Sequence, residues 1–200
     1  MQAFDSLSRN IQQYIYDKGW PSLTRIQNAA IKQVANTDHN LILSAPTASG
    51  KTEAAFIPAL NSVEDWDTGL KVLYISPLKA LINDQFQRIS ELSAYLDIPI
   101  TPWHGEVSQA QKKKVVNQPK GILLITPESI EGMLVNRPGK AQHLFKGVEW
   151  IIIDELHSFL GTERGVHLQS LLQRISQFMQ APRFIAMSAT LNKKDFGYAK

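Results

Sequence analysis

Two hundred residues, 44% of them hydrophobic, describe one ordinary domain large enough for a substantial core. Lysine and arginine (21) nearly balance aspartate and glutamate (18), and the resulting charge of +3 does not by itself argue a polyanionic partner. The absence of cysteine excludes disulfides and thiolate metal sites, and the five histidines (39, 104, 143, 157 and 167) do not cluster as ligands.

The N-terminus Met1-Gln-Ala-Phe-Asp5 lacks the form of a secretory signal, and no run approaches the roughly 18 apolar residues of a membrane span. The expectation is a cytoplasmic protein with no membrane partner. Residues 22–36 carry Leu23, Ile26, Ala30 and Val34 at helical spacing. Leu41–Ser44 then reads as a strand, and Ala45-Pro-Thr-Ala-Ser-Gly-Lys-Thr52 follows it directly. A buried strand running into a loop that ends in Gly-Lys-Thr is how a cradle for nucleotide phosphates is built. Gly50 lets backbone N–H groups curl toward an anion, Lys51 supplies a positive charge, and Thr52 offers a hydroxyl to Mg²⁺. A helix beginning near Lys51 and continuing through Glu53-Ala-Ala-Phe-Ile57 would aim its positive end at the same phosphates. The general pattern wants glycine at position 45, where this chain has alanine, and Pro46 stiffens the loop.

Further strands are expected at 72–76, 98–101, 121–126, 150–154 and 183–188, with helices at 78–96 and 166–179. Ile122-Leu-Leu-Ile125 and Ile151-Ile-Ile153 are continuous rather than alternating, which suits strands covered on both faces. Strands alternating with helices predict an α/β domain with a largely parallel sheet. Ligands of such a sheet bind beyond the carboxyl ends of its strands. There stand Asp154-Glu155-Leu156-His157, an acidic pair costly to desolvate unless a cation and a water use it. Asp154 is read as holding Mg²⁺ and Glu155 as orienting or deprotonating the attacking water. Ser76-Pro77 and Thr126-Pro127-Glu128 each put a hydroxyl and a helix start at a strand's end, devices that suit the repeating phosphates of a polynucleotide. Arg164, in Gly161-Thr-Glu-Arg-Gly165, is a candidate phosphate ligand. Trp103 reads as a base-stacking residue or as partial core, and Lys112-Lys-Lys114 reads as a solvated helix face.

The loop, the Asp-Glu-Leu-His run and Ser188-Ala-Thr190, in that order, resemble the first RecA-like domain of superfamily-two helicases, and more narrowly the DExH-type, Lhr-like ATP-dependent helicases. The resemblance runs from about Trp20 to Leu191. It implies a RecA-like P-loop NTPase fold, ATP and Mg²⁺ as ligands, and single-stranded DNA or RNA as partner, held mainly by its backbone. ATP would lie on Pro46, Thr47, Ala48, Ser49, Gly50, Lys51 and Thr52, with Lys51, Asp154 and Glu155 catalytic and Mg²⁺ bridged by Thr52 and Asp154. Residues 1–37 correspond to an adenine-recognition segment in which Gln27 reads the base edge. An amide can pair with an adenine amino group and ring nitrogen together. Pro77, Lys79, Thr126, Pro127, Glu128 and Arg164 are the implied polynucleotide contacts. His157, Ser188 and Thr190 are implied to couple nucleotide state to strand movement. The stacking aromatic is not securely placed, with Phe4 and Trp20 as candidates. Ala48 stands where many relatives have glycine, and it is expected to fit provided its backbone is not left-handed. The chain is expected to be one domain of a longer helicase whose second RecA-like domain completes both clefts. The rival readings are a translocase that does not separate strands and a nucleotide-binding regulatory module.

Overall fold

The computed structural model describes residues 3–191. Six strands follow the chain as β1 (Leu41–Ser44), β2 (Gly69–Ile75), β3 (Ile100–Trp103), β4 (Lys120–Ile125), β5 (Trp150–Ile153) and β6 (Arg183–Ser188). All their pairings are parallel, in the order β1-β6-β5-β2-β4-β3. Eight α-helices are described: α1 (Arg9–Asp17), α2 (Arg25–Asn36), α3 (Lys51–Ser62), α4 (Lys79–Tyr95), α5 (Gln109–Asn117), α6 (Pro127–Asn136), α7 (Pro138–Phe145) and α8 (Glu163–Ser176).

The continuous apolar runs are central strands. Alternate residues of β2, β4 and β5 feed two separate cores, one on each side of the sheet. Val72, Tyr74, Ile122, Leu124 and Ile152 pack with α1 to α4. Leu73, Ile75, Leu123, Ile125, Ile151 and Ile153 pack with α6 to α8. Covering both faces buries every side chain of these strands' centres, so no polar alternation survives in the sequence. Helix α3 is enclosed from Ala54 to Leu60, Pro58 included. A register shift between Leu70 and Val72 puts Lys71 into a bulge, where it is 8% exposed and pairs with Glu149 at 2.8 Å.

Element ends differ from the expected ones for local reasons. Helix α2 begins at Arg25 rather than 22. The Thr24 hydroxyl accepts from the Gln27 N–H, and the Gln27 amide oxygen accepts from the Thr24 N–H, a reciprocal cap. Strand β3 begins two residues late. Ile98 is tied to the end of α4, donating its N–H to the Ser93 carbonyl at 2.8 Å and accepting the Ser93 hydroxyl at 2.5 Å. At the other end of α2, the Arg183 guanidinium lies 4.4 Å from the Trp150 ring centre and donates to the Val34, Thr37 and His39 carbonyls. That closes the helix onto β6. Helices α1 and α7 have no counterpart among the expected elements, and α5 was expected only as the solvated face carrying Lys112-Lys-Lys114.

Candidate nucleotide and nucleic-acid site

The loop between β1 and α3 hangs from the sheet by one hydrogen bond, from the Ala45 N–H to the Ser188 carbonyl at 3.2 Å. Gly50 turns the chain into α3 with φ +81°, and a Cβ there would stand 2.6 Å from the Gln27 Nε2. Both the left-handed backbone and the close approach favour glycine. Ala48 departs from expectation: its φ is +61°, so an alanine does occupy the left-handed region. That conformation costs roughly 1–2 kcal/mol for a residue with a Cβ. Lys51, the first residue of α3, folds its ammonium onto the Ala45 and Pro46 carbonyls, the latter at 2.7 Å. The Ser49 hydroxyl is shielded from water and has no hydrogen-bond partner. An unpaired hydroxyl, a movable ammonium and the free N–H groups of a helix start together fit a phosphate chain. Pro46, Thr47 and Ala48 form the exposed outer lip.

Gln27 lies against this loop, 4% exposed, with its Nε2 3.4 Å from the Gly50 carbonyl and its amide oxygen in the α2 cap. The residue joins the start of α2 to the loop before α3. Phe4 and Trp20 both line a cavity of about 400 Å³ together with Tyr16 and Asn28.

Thr52 is 5% exposed and donates its hydroxyl to Gln85 Oε1 at 3.1 Å, which leaves its lone pairs for a cation. Asp154, 6% exposed, accepts from the Tyr74 hydroxyl and from the Glu155 N–H at 2.9 Å. Burial pushes the Asp154 carboxyl above its ordinary range. The Glu155 charge adds to this, while the Tyr74 hydrogen bond and the Lys51 charge oppose it. A carboxylate held against its solvation preference suits a divalent ion. Among the described residues no group of three or more histidine or acidic side chains could hold a metal. A Mg²⁺ here would therefore take most of its ligands from phosphates and water, its usual habit.

Glu155 adopts φ +47°, a second left-handed non-glycine position, and its Oε2 is shielded without a hydrogen bond. That oxygen lies 3.2 Å from His157 Nδ1, out of hydrogen-bonding alignment. His157 Nδ1 is also 3.2 Å from Ser188 Oγ, which donates to the Thr190 carbonyl at 2.9 Å. The structure thus brings Glu155, His157, Ser188 and Thr190 into one chain of contacts, and the Ser188 carbonyl links that chain to the phosphate loop.

The expected polynucleotide residues gather at the ends of β2 and β4. Thr126 caps α6, accepting the Ser129 N–H at 3.3 Å, and Pro127 takes the first helical position. Arg164 donates to the Pro77 carbonyl at 2.8 Å and to Glu128 at 2.6 Å, so it braces two of the other expected contacts. Lys79, at the start of α4, pairs with Glu106. Trp103 is partly buried against the α6–α8 core with the Lys112 ammonium 5.7 Å from its ring centre. Lys113 and Lys114 are exposed on α5.

Two residues of the site were not singled out from the sequence. Tyr74 stands in a fully buried strand, where a hydroxyl demands a partner, and that demand was the available signal. Gln85 falls three residues after Ile82 and four before Ile89, on the buried face of α4, a polar residue where an apolar one is expected.

Residues 24–196 match the family model described as DEAD/DEAH box helicase. The ATP-dependent helicase Lhr-Core of Methanocaldococcus jannaschii is 30% identical over 209 residues, covering 96% of this chain and 24% of that protein. The Lhr helicase/uracil glycosylase of Escherichia coli is 34% identical over 193 residues, covering 84% of this chain and 12% of that protein. The solved structure of Mycobacterium smegmatis helicase Lhr bound to ssDNA and AMP-PNP has a TM-score of 0.85 at 27% identity, over 98% of this chain and 26% of that one. The chain spans about a quarter or less of the length of these relatives.

Proposed function

The chain belongs to the DEAD/DEAH box helicase family, and on that basis we propose that it is the ATP-binding domain of an ATP-dependent helicase acting on DNA or RNA. The carrying observation is that one sheet edge holds the loop ending in Lys51 and Thr52 together with the buried Asp154 and the half-buried Glu155. Lys51 exchanges its own loop's carbonyls for the β- and γ-phosphates of ATP. Thr52 and Asp154 would hold Mg²⁺, which when bound would neutralise charge developing on the phosphate oxygens. Glu155, whose Oε2 has no hydrogen bond of its own, orients and deprotonates the water that attacks the γ-phosphate. His157 lies 3.2 Å from both Glu155 and Ser188, a position from which it passes the state of the nucleotide to the end of β6. Gln27 turns its remaining amide N–H and lone pair to adenine, within an adenine-recognition segment spanning residues 1–37.

The polynucleotide is a single strand gripped by its backbone at the ends of β2 and β4, through Pro77, Lys79, Thr126, Pro127, Glu128 and Arg164. The M. smegmatis structure, described with ssDNA and AMP-PNP, supports both ligands. The much greater length of the relatives supports a second RecA-like domain that completes the clefts, and a missing arginine finger lowers turnover by on the order of 10³–10⁵. None of the described helices is long and apolar enough to cross a membrane, and we place the protein in the cytoplasm.

The test is Glu155→Gln in the native protein. ATP binding is retained while polynucleotide-stimulated hydrolysis is lost. Unchanged turnover would refute the role given to Glu155.

A further inference from the structure

Lys79 is the one cation among the proposed polynucleotide contacts that a carboxylate holds without any other structural bond. Arg164 is also paired, to Glu128, but it holds the Pro77 carbonyl as well and so belongs to the scaffold. The Lys79–Glu106 pair joins only two side-chain tips, 44% and 67% exposed. Its geometry is nevertheless built. Glu106 sits in the turn between β3 and α5, and the neighbouring His104 is 7% exposed with its Nε2 2.9 Å from Asn83 Oδ1. Asn83 lies on α4 one turn after Lys79. The turn is closed by the N–H of buried Val107 donating to the His104 carbonyl at 3.2 Å. Burial pushes the His104 imidazole below its ordinary range. The anchor on α4 thus presents Glu106 to the lysine at the start of the same helix.

We propose that Glu106 is an internal competitor for the strand: it occupies Lys79 in the absence of polynucleotide and must be displaced by a backbone phosphate. The inference rests on the proposed function of this edge. An exposed ion pair is weak enough to exchange, and a polynucleotide gains by releasing its condensed counterions. The competitor loosens the grip on the strand, which a domain that must repeatedly release and retake a backbone requires. It also keeps a solitary exposed lysine from holding stray anions.

The experiment uses the native protein and a 5′-labelled single-stranded oligothymidylate, with binding followed by fluorescence anisotropy across a salt series. Glu106→Gln is expected to bind about two- to five-fold tighter at low salt. Its plot of log affinity against log salt should steepen, because in the wild type salt also weakens the exposed Lys79–Glu106 pair that the phosphate must break, and the variant has no such pair. The double variant Lys79→Gln/Glu106→Gln should bind no tighter than Lys79→Gln alone. A merely structural Glu106 would leave the salt slope unmoved. Binding by the wild type together with an unchanged slope in Glu106→Gln, or a gain that survives in the double variant, overturns the inference and leaves the function standing. Failure of both wild type and Glu106→Gln to bind at the lowest salt overturns the polynucleotide reading and the inference with it.

Discussion

At the scale of single residues, the site is marked by three left-handed backbones close to the proposed phosphates, at Ala48, Gly50 and Glu155. Non-glycine residues held there carry strain that the surroundings must overcome, and such strain concentrates at functional sites. Ala48→Gly relieves roughly 1–2 kcal/mol of native strain but returns about 0.4–1 kcal/mol of freedom to the unfolded chain. The variant should therefore be unchanged or up to about 1.6 kcal/mol more stable by urea denaturation. A clear loss of stability would show that the Ala48 methyl makes a contact of its own. Gly50→Ala is the opposite case, because the new Cβ meets Gln27 Nε2 at 2.6 Å. Denaturation should show a loss of more than about 1 kcal/mol, and titration with AMP-PNP should show weakened binding. Retention of both properties would mean that the loop has an alternative path that leaves Gln27 undisturbed.

At the scale of elements, α6 and α8 are clamped by charge as well as by their shared core. Glu131 on α6 accepts from both Arg174 and His167 of α8. Arg174 chiefly, then His167, pulls the Glu131 carboxyl down from 4.5 to about 2. The unfolded residue titrates near its ordinary value, so the contribution is complete above about pH 4.5 and disappears as pH falls toward 2. The groups are about a third exposed, and solvent screening limits the clamp to about 1 kcal/mol or less. Glu131→Gln should lower stability by up to that amount at pH 7, with the difference from wild type shrinking below pH 4.5 in urea titrations. A difference independent of pH would mean that packing, not charge, is lost.

The same scale explains what could be read from the chain. All six strands were legible because burial on two faces writes continuous apolar runs, and β1 and β6 fall on their expected bounds. Of helix α5 only the lysine face was legible, and not its bounds, because it buries Val116 alone and has no apolar face to repeat. Helices α1 and α7 each bury three hydrophobic residues over nine and eight positions, too short a stretch for a period to stand out. The proposed phosphate loop and Asp-Glu pair could be singled out because each is contiguous. Their supports could not: Thr52 finds Gln85 across 33 residues, Asp154 finds Tyr74 across 80, and Arg164 finds Pro77 across 87. Likewise the left-handed turn at Ala48 is set by the path from β1 into α3, which no residue type at 48 announces.

At the scale of the whole molecule, strand order divides the labour of the edge. The proposed nucleotide side lies at β1, β6 and β5, and the proposed strand side at β2 and β4, with Tyr74 of β2 bonded to Asp154 across the boundary. Nucleotide should therefore stabilise the entire sheet and not only a loop. With Mg²⁺ and AMP-PNP at a hundred times its dissociation constant, binding contributes about 2.7 kcal/mol. For a chain of this size that is a rise in Tm of about 5–10 °C, readable by thermal denaturation. Lys51→Ala should abolish the rise. A shift that survives in Lys51→Ala would place the phosphates elsewhere.

Ser188 is a junction served by two different parts of one residue. Its main-chain oxygen moors Ala45, and its hydroxyl meets His157 and Thr190. Mutation can reach only the second of these. Exchanging the hydroxyl for hydrogen should leave the mooring of the loop intact while cutting the line toward His157, so the proposed grasp of the fuel and the proposed report of its consumption are separable at a single position.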